Sequence, residues 1–96
     1  MSEPVFEHKH KEGEYTVDIK IYKVPKDKFF PEGFKYTLVL IKSGKRIIGY
    51  DNHERRGHHI HRGKREFVYK FVDEWKLISD FQSDVDKVIK NESKKC

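Results

Sequence analysis

Apolar and polar residues alternate along much of this chain. In residues 14–24, Tyr15, Val17, Ile19 and Ile21 are interleaved with Thr16, Asp18, Lys20 and Tyr22, the period of two of a strand with one buried face. Pro25 ends that strand because it has no N–H to give to a ladder. Residues 34–42 repeat the pattern, with Phe34, Tyr36, Leu38 and Leu40 on one side. Val39 and Ile41 make the other side partly apolar, which predicts an interior strand packed on both faces. Ser43-Gly44 is a two-residue hairpin signal, so residues 45–51 return as the next strand. Weaker alternation predicts an edge strand over residues 5–10, a short strand over 58–62, and another over 66–71, where Phe67, Tyr69 and Phe71 alternate. Residues 26–33, with Pro31 and Gly33 around Phe29-Phe30, read as a loop whose aromatics fold back on the core.

After residue 71 the period changes. Val72, Trp75, Ile78, Phe81 (or Gln82), Val85, Val88 and Ile89 recur at three and four residues, the spacing of an amphipathic helix. Asp73 is its expected N-cap, Trp75 its expected main anchor, and Asp80 and Asp84 fall among its solvent positions. The fold class that follows is α+β: an antiparallel sheet of four to six strands with one long C-terminal amphipathic helix packed on one face. Residues 1–96 are expected to form one domain, frayed over residues 1–4 and 92–96.

Composition narrows the function classes. Charged residues make up 39 % of the chain and apolar ones 35 %, so a single thin core is all it can bury. The net charge is +5, which favours acidic partners. That excess is local: residues 42–65 hold Lys42, Lys45, Arg46, Arg55, Arg56, Arg62, Lys64 and Arg65 against only Asp51 and Glu54. One cysteine, Cys96, allows neither an intrachain disulfide nor a Cys-based zinc site. A reducing, cytoplasmic setting follows as the expectation. No run suits a signal peptide or a membrane span.

The same basic segment gathers His53, His58, His59 and His61 within nine residues. Side chains two apart on a strand share a face, so His59 and His61 point together, away from the core residue Ile60. Antiparallel return brings Tyr50, Asp51 and Asn52 near His58 and His59. Four readings compete. Two imidazoles can act as base and acid near neutrality. Arg56 or Arg62 would then stabilise phosphate charge, and Asp51 would fix a histidine tautomer. A metal site could use His59 and His61 with His53 or Asp51; His59-x-His61 before Glu66 also matches part of a cupin motif, though 96 residues hold too few strands for that barrel. Basic residues interleaved with Tyr and His also bind phosphates and stack on bases without catalysis. The blandest reading is a solvated, charged hairpin.

Tyr50-Asp51-Asn52, a short charged loop, His59-x-His61, a turn and an amphipathic C-terminal helix together resemble the TumE family of small prokaryotic toxins. The alternating strand over residues 17–22, Gly33-x-Lys35-Tyr36 and the helical segment 81–88 match as well. The resemblance implies a toxin acting on RNA or translation, with a cognate antitoxin as partner. Combined with the chemistry above, it makes His59, His61, Asp51, Asn52 and Arg56 the candidate catalytic residues. Tyr50, Lys45, Arg46, Arg55, Arg62, Lys64 and Arg65 are the candidate nucleic-acid contacts. RNA is the expected target, no metal or other cofactor is expected, and a nucleic-acid-binding module or a His-based metal-binding protein are the alternatives.

Overall fold

The computed structural model describes residues 3–52 and 57–93, the side chains of Glu92 and Ser93 excepted. Six strands and one helix follow in order: β1 (Glu3–Glu12), β2 (Tyr15–Lys23), β3 (Phe34–Lys42), β4 (Lys45–Asp51), β5 (His59–Arg62), β6 (Arg65–Val68) and α1 (Glu74–Ser93). The strands form one antiparallel sheet in sequence order, β1-β2-β3-β4-β5-β6, each pairing with the one before it. This is the α+β layout expected, at the upper end of the strand count. Ser43 (φ 50°) and Gly44 (φ 78°) both adopt the left-handed conformation of a type I′ turn between β3 and β4.

Alternation divides the sheet into a covered and an open face. Val17, Ile19, Ile21, Tyr36, Leu38, Leu40, Ile48, Tyr50 and Ile60 are buried together with Leu77, Phe81 and Val85 of α1 and with Tyr69. The opposite face carries Thr16, Asp18, Lys20, Lys35, Thr37, Gly49, Asp51, His59, His61, Glu66 and Val68 by register. Val39 and Ile41 are only partly buried there, so β3 is packed by a helix on one face, not on both as its sequence suggests.

Asp73 caps α1 as expected: its Oδ1 accepts from Lys76 N at 2.7 Å and its carbonyl from Leu77 N at 3.0 Å. The anchor differs from the expected one. Trp75 is 65 % exposed, while Leu77, Phe81 and Val85 are fully buried. These three lie four residues apart, one stripe along the helix, and that stripe turns Asp80 and Asp84 toward the sheet. Tyr69 OH donates to Asp80 Oδ2 at 2.7 Å, and Tyr50 OH donates to Asp84. The two carboxylates thus satisfy hydroxyls that would otherwise be stranded at the edge of the core.

Smaller corrections concern bounds. Glu3 and Pro4 belong to β1 and residues 92–93 to α1, where fraying was expected; residues 1–2 and 94–96 lie outside the described residues. The last strand stops at Val68, and residues 69–73 lead irregularly into α1. Phe30 folds back into the core, its N–H and that of Phe29 held by Asp27 Oδ1.

Candidate active site on the open sheet face

The site is built on β4, β5 and β6. Asp51 is opposite His59, Gly49 opposite His61, and Glu66 opposite His61 on the other side. Directly opposed residues put their Cβ atoms about 4.5–5.5 Å apart on one face, so the register alone gathers two imidazoles and two carboxylates. His61 Nε2 stands 3.3 Å from Asp51 Oδ2, and its Nδ1 is 4.0 Å from Glu66 Oε2. His59 Nε2 is 3.5 Å from Glu66 Oε1, and its Nδ1–H is donated to the Gly57 carbonyl at 3.1 Å. That last bond fixes the ring, because only a protonated nitrogen can pair with a carbonyl. The imidazoles are recessed but reachable: the side chains of His59 and His61 are 16 % and 14 % exposed, and Glu66 is 35 % exposed. Asp51 is buried, and a buried carboxylate needs such partners.

His58, one residue earlier, faces the other way. Its ring stacks on Phe71 with centroids 4.9 Å apart and lies 5.6 Å from Tyr36. Burial pushes the Tyr36 hydroxyl far above its ordinary range. With its proton held, Tyr36 donates to His58 Nδ1 at 2.7 Å, which leaves Nε2–H to pair with Glu32 Oε1 at 3.0 Å. This histidine is a bracket between the 24–33 loop, β3 and the strand-to-helix connection.

Three residues expected at the site lie elsewhere. Tyr50 is 2 % exposed and packs edge-on against Phe81 and Tyr69. Burial first, then the bond to Asp84, raises its hydroxyl well above the usual phenol range, so it is a core residue and offers no stacking surface. Asn52 is buried too; its Oδ1 accepts from Tyr36 N at 2.9 Å and its Nδ2 donates to Phe34 O at 2.7 Å. It extends the β3–β4 ladder by one side chain and does not orient either imidazole. Arg62 is on the covered face, 2.5 Å from Asp84 Oδ2 and over the Phe67 ring at 5.6 Å. The bond to Asp84 raises its guanidinium further above the ordinary value, against the opposing effect of burial.

Lys45, Arg46, Lys64 and Arg65 do come together. The β3–β4 and β5–β6 turns lie at the same end of the sheet, tied by Gly63 N donating to Ile47 O at 3.1 Å, and the four cations rim that end. His53, Arg55 and Arg56 lie outside the described residues. Glu66 enters the sequence pattern only as part of a metal motif, not as a partner of the two imidazoles. Counting back from the Gly63-Lys64 turn sets Arg62 against Arg65 and hence His61 against Glu66, so the register was the signal that could have found it.

Among the described residues no group of three or more His, Cys, Asp or Glu side chains is arranged to hold a metal ion. No helix among the described residues is long and apolar enough to cross a membrane. No curated protein matches the chain, and neither does any solved structure. A family model does: the one described as Toxin TumE matches residues 5–89, from the start of β1 to the last turns of α1. A toxin role and a cognate antitoxin as partner come with that match, and the chain belongs to the TumE toxin family.

Proposed function

We propose that this protein is a toxin that cleaves RNA without a metal, using His59 and His61 as its acid and base. The observation that carries this reading is the pair of imidazoles on the open face, each set against a carboxylate and neither covered by α1. Asp51 at His61 Nε2 holds that nitrogen protonated and leaves Nδ1 with its lone pair, so His61 is the base. His59 donates Nδ1–H to Gly57 O, and a second proton on Nε2 is what Glu66 can accept, so the charged form of His59 satisfies both contacts and is the acid. In the reaction the proton of the ribose 2′-hydroxyl passes to His61 as its oxygen bonds to phosphorus. The bond from phosphorus to the 5′ oxygen breaks as His59 gives that oxygen a proton. The products are a 2′,3′-cyclic phosphate and a 5′-hydroxyl end. The cationic rim of Lys45, Arg46, Lys64 and Arg65 supplies the electrostatic attraction for the strand.

The test is induced expression in a bacterial host of the wild-type chain and of His59→Ala/His61→Ala, with growth and total RNA followed together, and cleavage of a defined RNA by both purified proteins in the presence of a chelator. Growth arrest with RNA loss, relieved by the double change, is the expected result. In the tube, losing either role costs about 10²–10⁴-fold in rate. Cleavage at the wild-type rate by the double variant removes this assignment. RNA binding with a steep salt slope and no cleavage by either protein identifies a non-catalytic binding module instead, the reading that the cationic rim favours.

A further inference from the structure

Gly49 lies inside β4, an interior strand. A glycine there weakens a strand through lost side-chain packing and added backbone entropy. Its conformation does not call for one, because the glycines with positive φ are 13, 33, 44, 57 and 63. Space does. A Cβ at Gly49 would meet Arg46 Cδ at 3.0 Å and Arg46 Nε and Nη1 at 3.3 Å each. That Cβ would project onto the open face, because Ile48 and Tyr50 on either side are buried under α1. The residue opposite Gly49 is His61. The arginine side chain therefore occupies the space over Gly49 into which a Cβ would project, at the ladder position opposite His61.

How Arg46 reaches this place is also visible. The β3–β4 register shifts between Leu40 and Ile41: Leu40 pairs with Ile48 but Ile41 with Arg46, so Ile47 is an extra residue. Such bulges bend a strand and re-aim side chains. A bulge, a glycine without a conformational need for it and an arginine folded over it coincide at one point, beside the histidine assigned as base. Arg62 is bound to Asp84, whereas Arg46 has no carboxylate partner among the described residues. A guanidinium's planar fork fits two oxygens of one phosphate, and a cation fixed in advance where negative charge develops stabilises the transition state.

We propose that Arg46, seated across Gly49 beside His61, is the oxyanion subsite for the non-bridging oxygens of the scissile RNA phosphodiester. This rests on the RNA-cleaving reading, and the following experiment separates the two. Cleavage of a short RNA is measured for wild type, Arg46→Ala, Arg46→Lys, Gly49→Val and His61→Ala. In parallel, inorganic phosphate is titrated while the His61 ring resonances are followed by NMR, and melting temperatures are recorded. Arg46→Ala is expected to lower kcat by about 10²–10³-fold, as for loss of one donor to a developing oxyanion, with KM changed far less; lysine does not restore it, and added guanidinium ion does in part. Gly49→Val keeps the arginine but fills its seat. It is expected to lower kcat as well, with a melting temperature equal to or above that of wild type, since valine favours a strand. Phosphate shifts His61 saturably in wild type and not in Arg46→Ala. If Arg46→Ala and Gly49→Val both keep kcat within about threefold while His61→Ala abolishes cleavage, the subsite is refuted and the acid–base reading stands. If wild type does not cleave and phosphate leaves His61 unmoved, both are refuted. Should Gly49→Val fail to fold, Arg46→Ala with guanidinium rescue decides alone.

Discussion

The two faces of the sheet treat their polar groups in opposite ways. On the covered face each one is closed into a small unit: Tyr50 and Arg62 on Asp84, Tyr69 and Lys76 on Asp80, Tyr36 and Glu32 on His58, and Asn52 on the β3 backbone. On the open face His61 stands 3.3 Å from Asp51 and 4.0 Å from Glu66, and His59 3.5 Å from Glu66, longer than good hydrogen bonds. The short, complete bonds belong to folding. The longer contacts, at side chains solvent can reach, leave room for a ligand's atoms to replace a partner. Histidine takes part in both faces, which shows that residue type alone does not separate structure from chemistry; the direction of the side chain does.

The largest test of that division is on the covered side. Phe81→Ala should cost about 3–5 kcal/mol, the range for emptying a buried aromatic site, read as a fall in the denaturation midpoint, and it should unfold the open face along with the core. The two kinds of histidine give a sharper contrast. His58→Ala leaves the Tyr36 hydroxyl without its acceptor and should destabilise by about 1–3 kcal/mol, whereas His59→Ala should stay within about 1 kcal/mol by the same denaturant titration. Equal losses at the two positions would erase the distinction between the faces.

A pH titration gives the next effect. Tyr36, Tyr50 and Tyr69 all have hydroxyls held far above the ordinary value of 10.0, by burial first and then by neighbouring acidic groups. A raised folded value means that the folded chain keeps protons the unfolded chain has lost. The stability this brings is complete below pH 10 and falls as pH rises beyond it. Unfolding in alkali should coincide with phenolate absorbance, and Tyr69→Phe should blunt it. Asp80 has the opposite sign: burial raises its carboxyl, but the bonds from Tyr69 and Lys76 outweigh that and hold it below its ordinary range. Its share is present at neutrality and is lost as the medium is acidified through that lowered range. The smallest effect is expected at Trp75, where alanine should change stability by no more than about 0.5 kcal/mol, since its ring is mostly in solvent.

Trp75 also marks where the sequence was hard to read. Period two placed β2 and β3 and set His59 and His61 opposite Ile60; the Ser43-Gly44 turn placed β4, and Asp73 marked a cap, all by local rules. The helix face was not local. The expected stripe through Val72, Trp75, Ile78, Phe81, Val85, Val88 and Ile89 shares Phe81 and Val85 with the buried one, and Ile78, Val88 and Ile89 pack partly against the core; it differs in taking Trp75 as anchor where Leu77 is buried, on the side that also brings Asp80 and Asp84 to Tyr69 and Tyr50. A hydrophobic pattern counts those aspartates as solvent positions and so sets the buried face too far toward Trp75. Tyr50 and Asn52 were likewise misplaced because a strand alternates faces: if Asp51 is on the open side, both its neighbours are on the covered one. The seat of Arg46 needed the bulge at Ile47, which no period announces.

The order of the strands has a consequence for the chain as it is made. Every strand pairs with the one synthesised just before it, so each hairpin can close over a short loop at small entropic cost. Asp51 emerges before either imidazole, Glu66 after both, and Leu77, Phe81 and Val85 last of all. Until α1 has left the ribosome the apolar side of the sheet has no cover. A growing chain of this toxin therefore has every strand of its site before it has the helix that covers the core, and neither fold nor site is held firmly until α1 has been made.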